Sequence, residues 1–232
     1  MCVADVGSGK PLVMLHGFMS SKESFVYQTG YFSLFRRVIA IDLTGFGKSE
    51  KMSYPYALCD YEKAVLSVIN ALGLTEYDLL AHSFGARIAV KLAVRDERLK
   101  KLVLTGAAGL KPRRKPDYYI RIYAYKILKK LFKNGNFDNF GSEEYKKLGK
   151  TEKISYVKIV NEYLDGELKK INNDTLLVFG ESDKETPVYM AKRFLKGIKN
   201  SSLYVVKGAG HFAFIDKPYE FNAIAGEFLK EG

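Results

Sequence analysis

Six short apolar runs recur along the chain, and glycine-rich turns follow several of them. The runs cover residues 12–15, 38–41, 77–81, 101–105, 176–179 and 203–206. Runs of this length are typical of strands that helices cover on both faces. Between the runs, amphipathic spacing predicts helices, among them 58–72, 188–198 and 218–230. The alternation predicts an α/β fold with a mostly parallel central sheet and helices on both faces.

Length and composition restrict the class of protein. A chain of 232 residues can bury one large core. No apolar run approaches the ~20 residues that span a bilayer, and residues 1–10 lack the pattern of a secretory signal. Cys2 and Cys59 match neither a disulfide framework nor a metal site. We therefore expect a cytoplasmic protein with two free thiols and no metal.

The positive charge is concentrated in one segment. Residues 111–170 contain 16 lysines and arginines against 8 acidic residues, a net +8 of the chain's +11. This segment also interrupts the strand–helix alternation, with helical patterns at about 118–133 and 142–164. We predict that 107–170 form a helical cap or lid, and that 1–106 and 171–232 form the core. The basic pattern at 118–133 favours a lid helix over a membrane-binding one, and no nucleic-acid recognition motif accompanies the charge.

The motif with the clearest chemistry is Ala81-His82-Ser83-Phe84-Gly85. It is G-x-S-x-G with alanine in place of the first glycine, and it lies between a predicted strand and a predicted helix. A serine on such a sharp turn presents its hydroxyl beyond the edge of the sheet. Ser83 is therefore the candidate nucleophile.

A serine nucleophile needs a base, and the chain has three histidines. His82 precedes Ser83 directly, and adjacent strand residues point to opposite faces. His16 is expected to support the turn after the first predicted strand. His211 follows the last predicted strand in a glycine-rich loop, so we predict that it is the base.

The base in turn needs a carboxylate that orients it. Asp183 follows the fifth predicted strand and is the candidate, with nearby Glu181 as the alternative. Asp42 also follows a strand, but it opens a tight turn and is expected to bind that turn's backbone. The chain order is then Ser83, Asp183, His211.

An oxyanion hole needs two backbone N–H groups that point at the developing charge. Phe84 begins the helix after Ser83, and Phe18 follows His16-Gly17, so their N–H groups are the candidates. We expect Met19, Phe212 and Arg87 to line the substrate pocket.

These motifs, in this order, resemble those of the α/β-hydrolase superfamily. The matching segments are His16-Gly17-Phe18, residues 42–49, residues 81–85, residues 180–183 and residues 208–212. The resemblance implies the triad Ser83, Asp183 and His211, a cap over Ser83 and no cofactor. Family members usually begin with one or two antiparallel strands. Because few residues precede Pro11, we expect a short or missing first sheet edge, which could pair in a homodimer.

The nucleophile limits the reactions that the resemblance implies. Relatives with an aspartate nucleophile are excluded by Ser83. Ring-cleavage C–C hydrolases often carry asparagine before the serine and tryptophan after the histidine, whereas this chain has His82 and Phe212. We predict a serine hydrolase that cleaves small-molecule carboxylic esters or thioesters. The alternative is a lyase or C–C hydrolase acting on an acidic metabolite with the same triad, which Arg87 and the basic cap motivate.

Overall fold

A computed structural model describes residues 1–113 and 143–230 of the chain. Its seven strands form one sheet in the order β1-β3-β2-β4-β5-β6-β7. The strands are β1 (Val3–Val6), β2 (Pro11–Leu15), β3 (Arg37–Ile41), β4 (Tyr77–His82), β5 (Leu99–Thr105), β6 (Asp174–Gly180) and β7 (Ser201–Val206). β1 is antiparallel to β3, and all other neighbouring strands are parallel. The predicted α/β fold with a mostly parallel sheet is confirmed.

Helices cover both faces of this sheet. The α-helices in the described residues are α1 (Val26–Phe32), α2 (Leu58–Ala71), α3 (Phe84–Arg95), α4 (Glu143–Lys147), α5 (Lys150–Asn161), α6 (Val188–Gly197), α7 (Ala213–Asp216) and α8 (Pro218–Lys230). Successive strand residues feed two cores. Leu79 of β4 belongs to the core with α2, α3 and α6, and Leu80 belongs to the core with α1, α7 and α8.

The first sheet edge is short, as the sequence predicts. β1 has four residues and pairs with β3 from Val3 opposite Ile41 to Val6 opposite Val38. Its Asp5 also accepts two hydrogen bonds from the Arg37 guanidinium. Four residues without clear alternation carry little periodic signal, which is why sequence reasoning did not place this strand.

The predicted cap differs from expectation where the structure describes it. The pattern at 118–133 lies outside the described residues. The pattern at 142–164 becomes two helices, α4 and α5, with a break before Gly149. Gly149 has an extended backbone and caps α5, and glycine is unfavourable inside a helix. No helix within residues 1–113 and 143–230 has both the length and the apolar character needed to cross a membrane.

Candidate active site

Ser83 lies on a strained turn between β4 and α3. Its φ of 48° and ψ of −107° are unusual for a residue with a side chain. Gly85 makes the turn possible, because a Cβ at that position would lie 2.3 Å from the carbonyl oxygen of Leu15. The Gly85 N–H also donates to the His16 carbonyl at 3.1 Å. The start of α3 is therefore packed directly against the end of β2.

His16 holds the loop that follows β2, as the sequence predicts. Its Nδ1–H donates to the Gly17 carbonyl at 2.7 Å, and its Nε2 accepts from the Leu43 N–H at 3.0 Å. The ring is fully buried, and burial lowers its pKa, so it stays neutral. His16 thus joins the loops after β2 and β3 and does not act as the base.

Phe18 follows this turn and packs into an aromatic cluster beside Ser83. The Phe18 ring lies 5.0 Å from the Phe46 ring and 5.7 Å from the Phe84 ring, both edge to face. Phe84 is the first residue of α3, where backbone N–H groups have no intrahelical acceptor. The structure therefore brings the two candidate oxyanion-hole residues together.

Asp183 and His211 form a buried hydrogen-bonded pair. His211 Nδ1–H donates to Asp183 Oδ2 at 2.9 Å. Asp183 also accepts hydrogen bonds from the backbone N–H groups of Glu185 and Thr186 and from the Thr186 hydroxyl. Burial disfavours the charged carboxylate, but the bonds from His211 and Thr186 outweigh it and lower the pKa of Asp183 to about 2. Asp183 is thus an ionised group that orients the imidazole.

Ser83 and His211 both lie beside the loop after β5. The Ala108 N–H donates to the Ser83 carbonyl at 3.3 Å, and the Ser83 N–H donates to the Thr105 carbonyl at 3.1 Å. In the same loop, a Cβ at Gly106 would lie 3.1 Å from His211 Nδ1. The structure therefore brings Ser83, Asp183 and His211 to one edge of the sheet.

Two residues near His211 were not found from the sequence. Glu185 Oε2 lies 3.3 Å from His211 Nε2, and its side chain is 61% exposed. The Thr186 hydroxyl lies 3.3 Å from His211 Nδ1. An aspartate followed by threonine three residues later is a turn signal that could have indicated Thr186. No sequence pattern indicated Glu185.

His82 packs against His211. Its Nε2–H donates to the His211 carbonyl at 3.1 Å, and the two ring centroids are 4.7 Å apart. Burial, and secondarily the nearby His211 charge, lower the pKa of His82 to about 3. His82 is therefore neutral at physiological pH and supports the loop that carries His211.

The other two acidic candidates bind backbone groups. Asp42 is fully buried and accepts from the backbone N–H groups of Lys22 and Lys48, as predicted for a turn residue. Glu181 accepts from the Gly208 N–H at 3.1 Å. Asp183, rather than Glu181, is hydrogen-bonded to the imidazole.

The three predicted pocket residues occupy different environments. Met19 and Phe212 are 42% and 39% exposed, and each lies next to a site residue in the chain. Arg87 is buried at 8% exposure, and its Nη1 donates to the carbonyl oxygens of Ile159 and Glu162 at 2.9 Å each. The Arg87 hydrogen bonds found in the structure therefore go to the α5 end of the predicted cap.

The fold agrees with comparison against known proteins. A model of the alpha/beta hydrolase family matches residues 12–224. This chain belongs to the α/β hydrolase family. The matched range includes the segments that carry Ser83, Asp183 and His211.

Relatives of this α/β hydrolase have more than one activity in their names. It is 28% identical to AB hydrolase superfamily protein YisY of Bacillus subtilis (strain 168), over 97% of this chain and 94% of that protein. It is also 28% identical to a 2-hydroxymuconate semialdehyde hydrolase of Pseudomonas sp. (strain CF600), over 98% and 89%. The solved structure of the esterase EaEST from Exiguobacterium antarcticum is 28% identical, covers 99% of this chain and 95% of that one, and has a TM-score of 0.79.

Proposed function

We propose that this α/β hydrolase cleaves carboxylic esters or thioesters through an acyl-enzyme intermediate on Ser83. The observation that carries the proposal is the 2.9 Å bond between His211 Nδ1–H and Asp183, beside a serine on a strained turn. Asp183 fixes the tautomer in which Nε2 can take a proton from a hydroxyl. This arrangement is the one that converts serine into a nucleophile.

In the first half-reaction the Ser83 oxygen attacks the acyl carbon while His211 Nε2 takes its proton. The charge on the former carbonyl oxygen is stabilised by the N–H groups of Phe18 and Phe84. The tetrahedral intermediate then expels the alcohol or thiol, which takes the proton from His211 Nε2. The acyl group remains bonded to the Ser83 oxygen.

In the second half-reaction water replaces the alcohol. His211 removes a proton from the water, whose oxygen attacks the acyl carbon, and the same two N–H groups stabilise the second intermediate. The proton then passes from His211 to the Ser83 oxygen as the carboxylic acid leaves. The enzyme returns to its starting state without a cofactor.

The wall beside Ser83 supports an apolar acyl group. Phe18 contacts Phe46 and Phe84 from the core, and Tyr156 of α5 at a ring distance of 5.1 Å. We place residues 107–170 in the role of a cap that completes this wall. Aromatic faces favour hydrocarbon over charged groups at the acyl position.

A second candidate function is C–C bond hydrolysis. It is favoured by the similarity to 2-hydroxymuconate semialdehyde hydrolases. His82 and Phe212 argue against it, because ring-cleavage C–C hydrolases often have asparagine and tryptophan at these positions. Arg87 does not support this candidate, because its guanidinium binds cap carbonyl groups rather than facing a substrate acid. The ester reaction therefore remains the first proposal.

A fluorophosphonate probe and a panel of p-nitrophenyl esters from acetate to palmitate test the proposal. We expect one label per chain on Ser83 and hydrolysis of at least part of the panel. Ser83→Ala should lose both, while Ser182→Ala, in the Asp183 loop, serves as the control and should keep both. Labelling that persists in Ser83→Ala would refute the acyl-serine mechanism.

The second candidate is separated by substrate. An enzyme labelled at Ser83 that ignores every ester but cleaves 2-hydroxymuconate semialdehyde would establish C–C hydrolysis. Hydrolysis of esters with no action on that compound would establish the first proposal.

A further inference from the structure

Arg87 joins the helix that follows Ser83 to the predicted cap. It lies one turn after Ser83 on α3, and it donates from Nη1 to the carbonyl oxygens of Ile159 and Glu162. These two residues are at the C-terminal end of α5. The last carbonyl groups of a helix lack their usual partners within the helix, and here the Ile159 carbonyl accepts from the Glu162 N–H at 3.2 Å as well as from Arg87. A buried guanidinium is well suited to this, because it carries several donors in a fixed plane.

A second cation on α3 strengthens the contact. Lys91, one turn after Arg87, forms an ion pair with the Glu162 carboxylate at 2.5 Å. Positive groups at a helix C-terminus also interact favourably with its dipole. Arg87 and Lys91 therefore bind the same end of α5 from the same helix.

The two chain segments that connect the cap to the core meet at this point. Gly109 precedes the cap helices and Leu164 follows them, and the Leu164 N–H donates to the Gly109 carbonyl at 2.8 Å. Gly109 has a φ of +127°, which only glycine adopts readily. A Cβ there would lie 3.5 Å from Arg87 Cγ, so Arg87 packs against this junction.

Helix α5 extends from this anchor to the aromatic wall. Ile159 is buried in the core that contains α2, α3 and α6, and Ser155, one turn earlier, is buried against Met52. Tyr156 lies between Ser155 and Ile159 in the chain, and its ring contacts that of Phe18, with centroids 5.1 Å apart. Helix α5 therefore connects the Arg87 anchor to Tyr156 in the aromatic wall.

We propose that Arg87 is a positioning residue that fixes α5, and that Tyr156 is the specificity-determining residue that limits the length of the acyl group. This inference rests on the proposed acyl-serine function of Ser83. Arg87 acts through α5 and does not bind the substrate. Tyr156 acts as a rigid part of the aromatic wall through its contact with Phe18.

Hydrogen exchange measures the positioning role without any substrate. Arg87→Met keeps the apolar stem and removes the donors. Because hydrogen bonds from charged groups are stronger than those between neutral groups, amides of residues 150–161 should exchange at least about tenfold faster. Arg95→Met is the matched control, because Arg95 is on the same helix but binds Glu62. Unchanged exchange in Arg87→Met would overturn the positioning role.

Kinetics distinguish positioning from substrate binding. For two esters of equal length, one anionic and one neutral, Arg87→Met should lower kcat/KM by the same factor. Arg87→Lys should recover part of the loss for both. A loss confined to the anionic ester would show that Arg87 binds substrate and would overturn the inference.

Labelling with alkyl fluorophosphonates of two chain lengths tests Tyr156. Tyr156→Ala should raise the ratio of long-chain to short-chain labelling rates by roughly tenfold, because each methylene group accommodated contributes to discrimination. Tyr156→Phe should keep the wild-type ratio, and so should Val157→Ala, which changes the exposed neighbour. An unchanged ratio in Tyr156→Ala would refute the specificity role.

Failure of the proposed function and failure of the roles of Arg87 and Tyr156 give different experimental results. If Ser83 of the wild type takes no label, the proposed function fails, and Tyr156 loses its role with it. If the wild type is labelled but the variants change neither exchange nor chain-length ratio, only this inference fails.

Discussion

His82 lies beneath His211, with its Nε2–H donating to the His211 carbonyl at 3.1 Å. The residue before Ser83 thus supports the loop that carries His211. Sequence position makes His82 badly placed to serve as the base, and the structure shows its hydrogen bond to the His211 loop instead.

This arrangement predicts how stability depends on pH. Burial lowers the pKa of His82 to about 3 in the folded chain, against 6.5 for a free histidine. As pH falls from about 6.5 toward 3, the unfolded chain binds a proton at this site that the folded chain does not. The free energy of unfolding therefore falls with pH, by up to ~1.4 kcal/mol per pH unit from this residue.

The variant His82→Gln removes this titration and keeps an amide donor. Urea unfolding at several pH values between 6.5 and 4.5 should give a shallower slope for His82→Gln than for the wild type. Asp183 and His16 are present in both proteins, so the difference between the two slopes reports the titration of His82. Equal slopes would show that His82 is not a buried neutral imidazole.

Two glycines predict opposite effects of alanine. Gly85→Ala places a Cβ 2.3 Å from the Leu15 carbonyl oxygen, so the backbone must move. We expect a loss of at least about 1–3 kcal/mol in the free energy of unfolding and slower labelling of Ser83. Gly30 lies in the interior of α1, and a Cβ added there would have no neighbouring atom within 4 Å. Gly30→Ala should instead raise the free energy of unfolding by about 0.5–1 kcal/mol. Similar unfolding midpoints for both variants would contradict the tight packing at Gly85.

The Asp183 carboxylate predicts a large catalytic effect with little change in the fold. In Asp183→Asn the amide can donate to His211 Nδ1 and favour the wrong tautomer, so kcat/KM should fall by about 10³–10⁴-fold. Thr186→Val removes one hydrogen bond to Asp183, and we expect a loss of about tenfold or less. If Glu181→Gln proved the more damaging change, the acid of the triad would have to be reassigned.

Glu185 predicts an increase in activity when its charge is removed. Its contact with His211 Nε2 needs a proton on that nitrogen, whereas Ser83 needs the nitrogen to accept one. Glu185→Gln should therefore speed labelling of Ser83, by up to about fivefold at low ionic strength because the carboxylate is exposed. High salt should reduce the difference. Glu227→Gln, an exposed change on α8, controls for net charge, and an equal effect there would remove the role of Glu185.

Much of the fold could be predicted because buried parallel strands and amphipathic helices leave clear patterns. The structure confirms β2 to β7 and begins α2 at Leu58, as the spacing indicated. The short elements β1, α1 and α7 were missed, because four to seven residues do not establish a period. The predicted helix over 142–164 was too long, since the cost of Gly149 inside a helix was not given enough weight.

Some residues of the site could likewise be predicted from the sequence, and others could not. The motif around Ser83 and the loops of Asp183 and His211 could be found because each follows a strand at the same sheet edge. The prediction for Arg87 considered only its distance from Ser83 along the chain. Its partners, Ile159 and Glu162, lie more than seventy positions away, and no local pattern indicates such a contact. Side chains that act between distant segments need the folded structure.

The left-handed backbone of Ser83 links chemical reactivity to the completeness of folding. A strained conformation persists only while its surroundings hold it, here the end of β2, the start of α3 and the loop after β5. The groups proposed to activate Ser83, Asp183 and His211, come from segments after β6 and β7, far along the chain. Under that proposal, the serine of a partly assembled sheet is inert. The rate at which a covalent probe labels Ser83 during refolding therefore measures the last stage of folding, in which both halves of the sheet have joined.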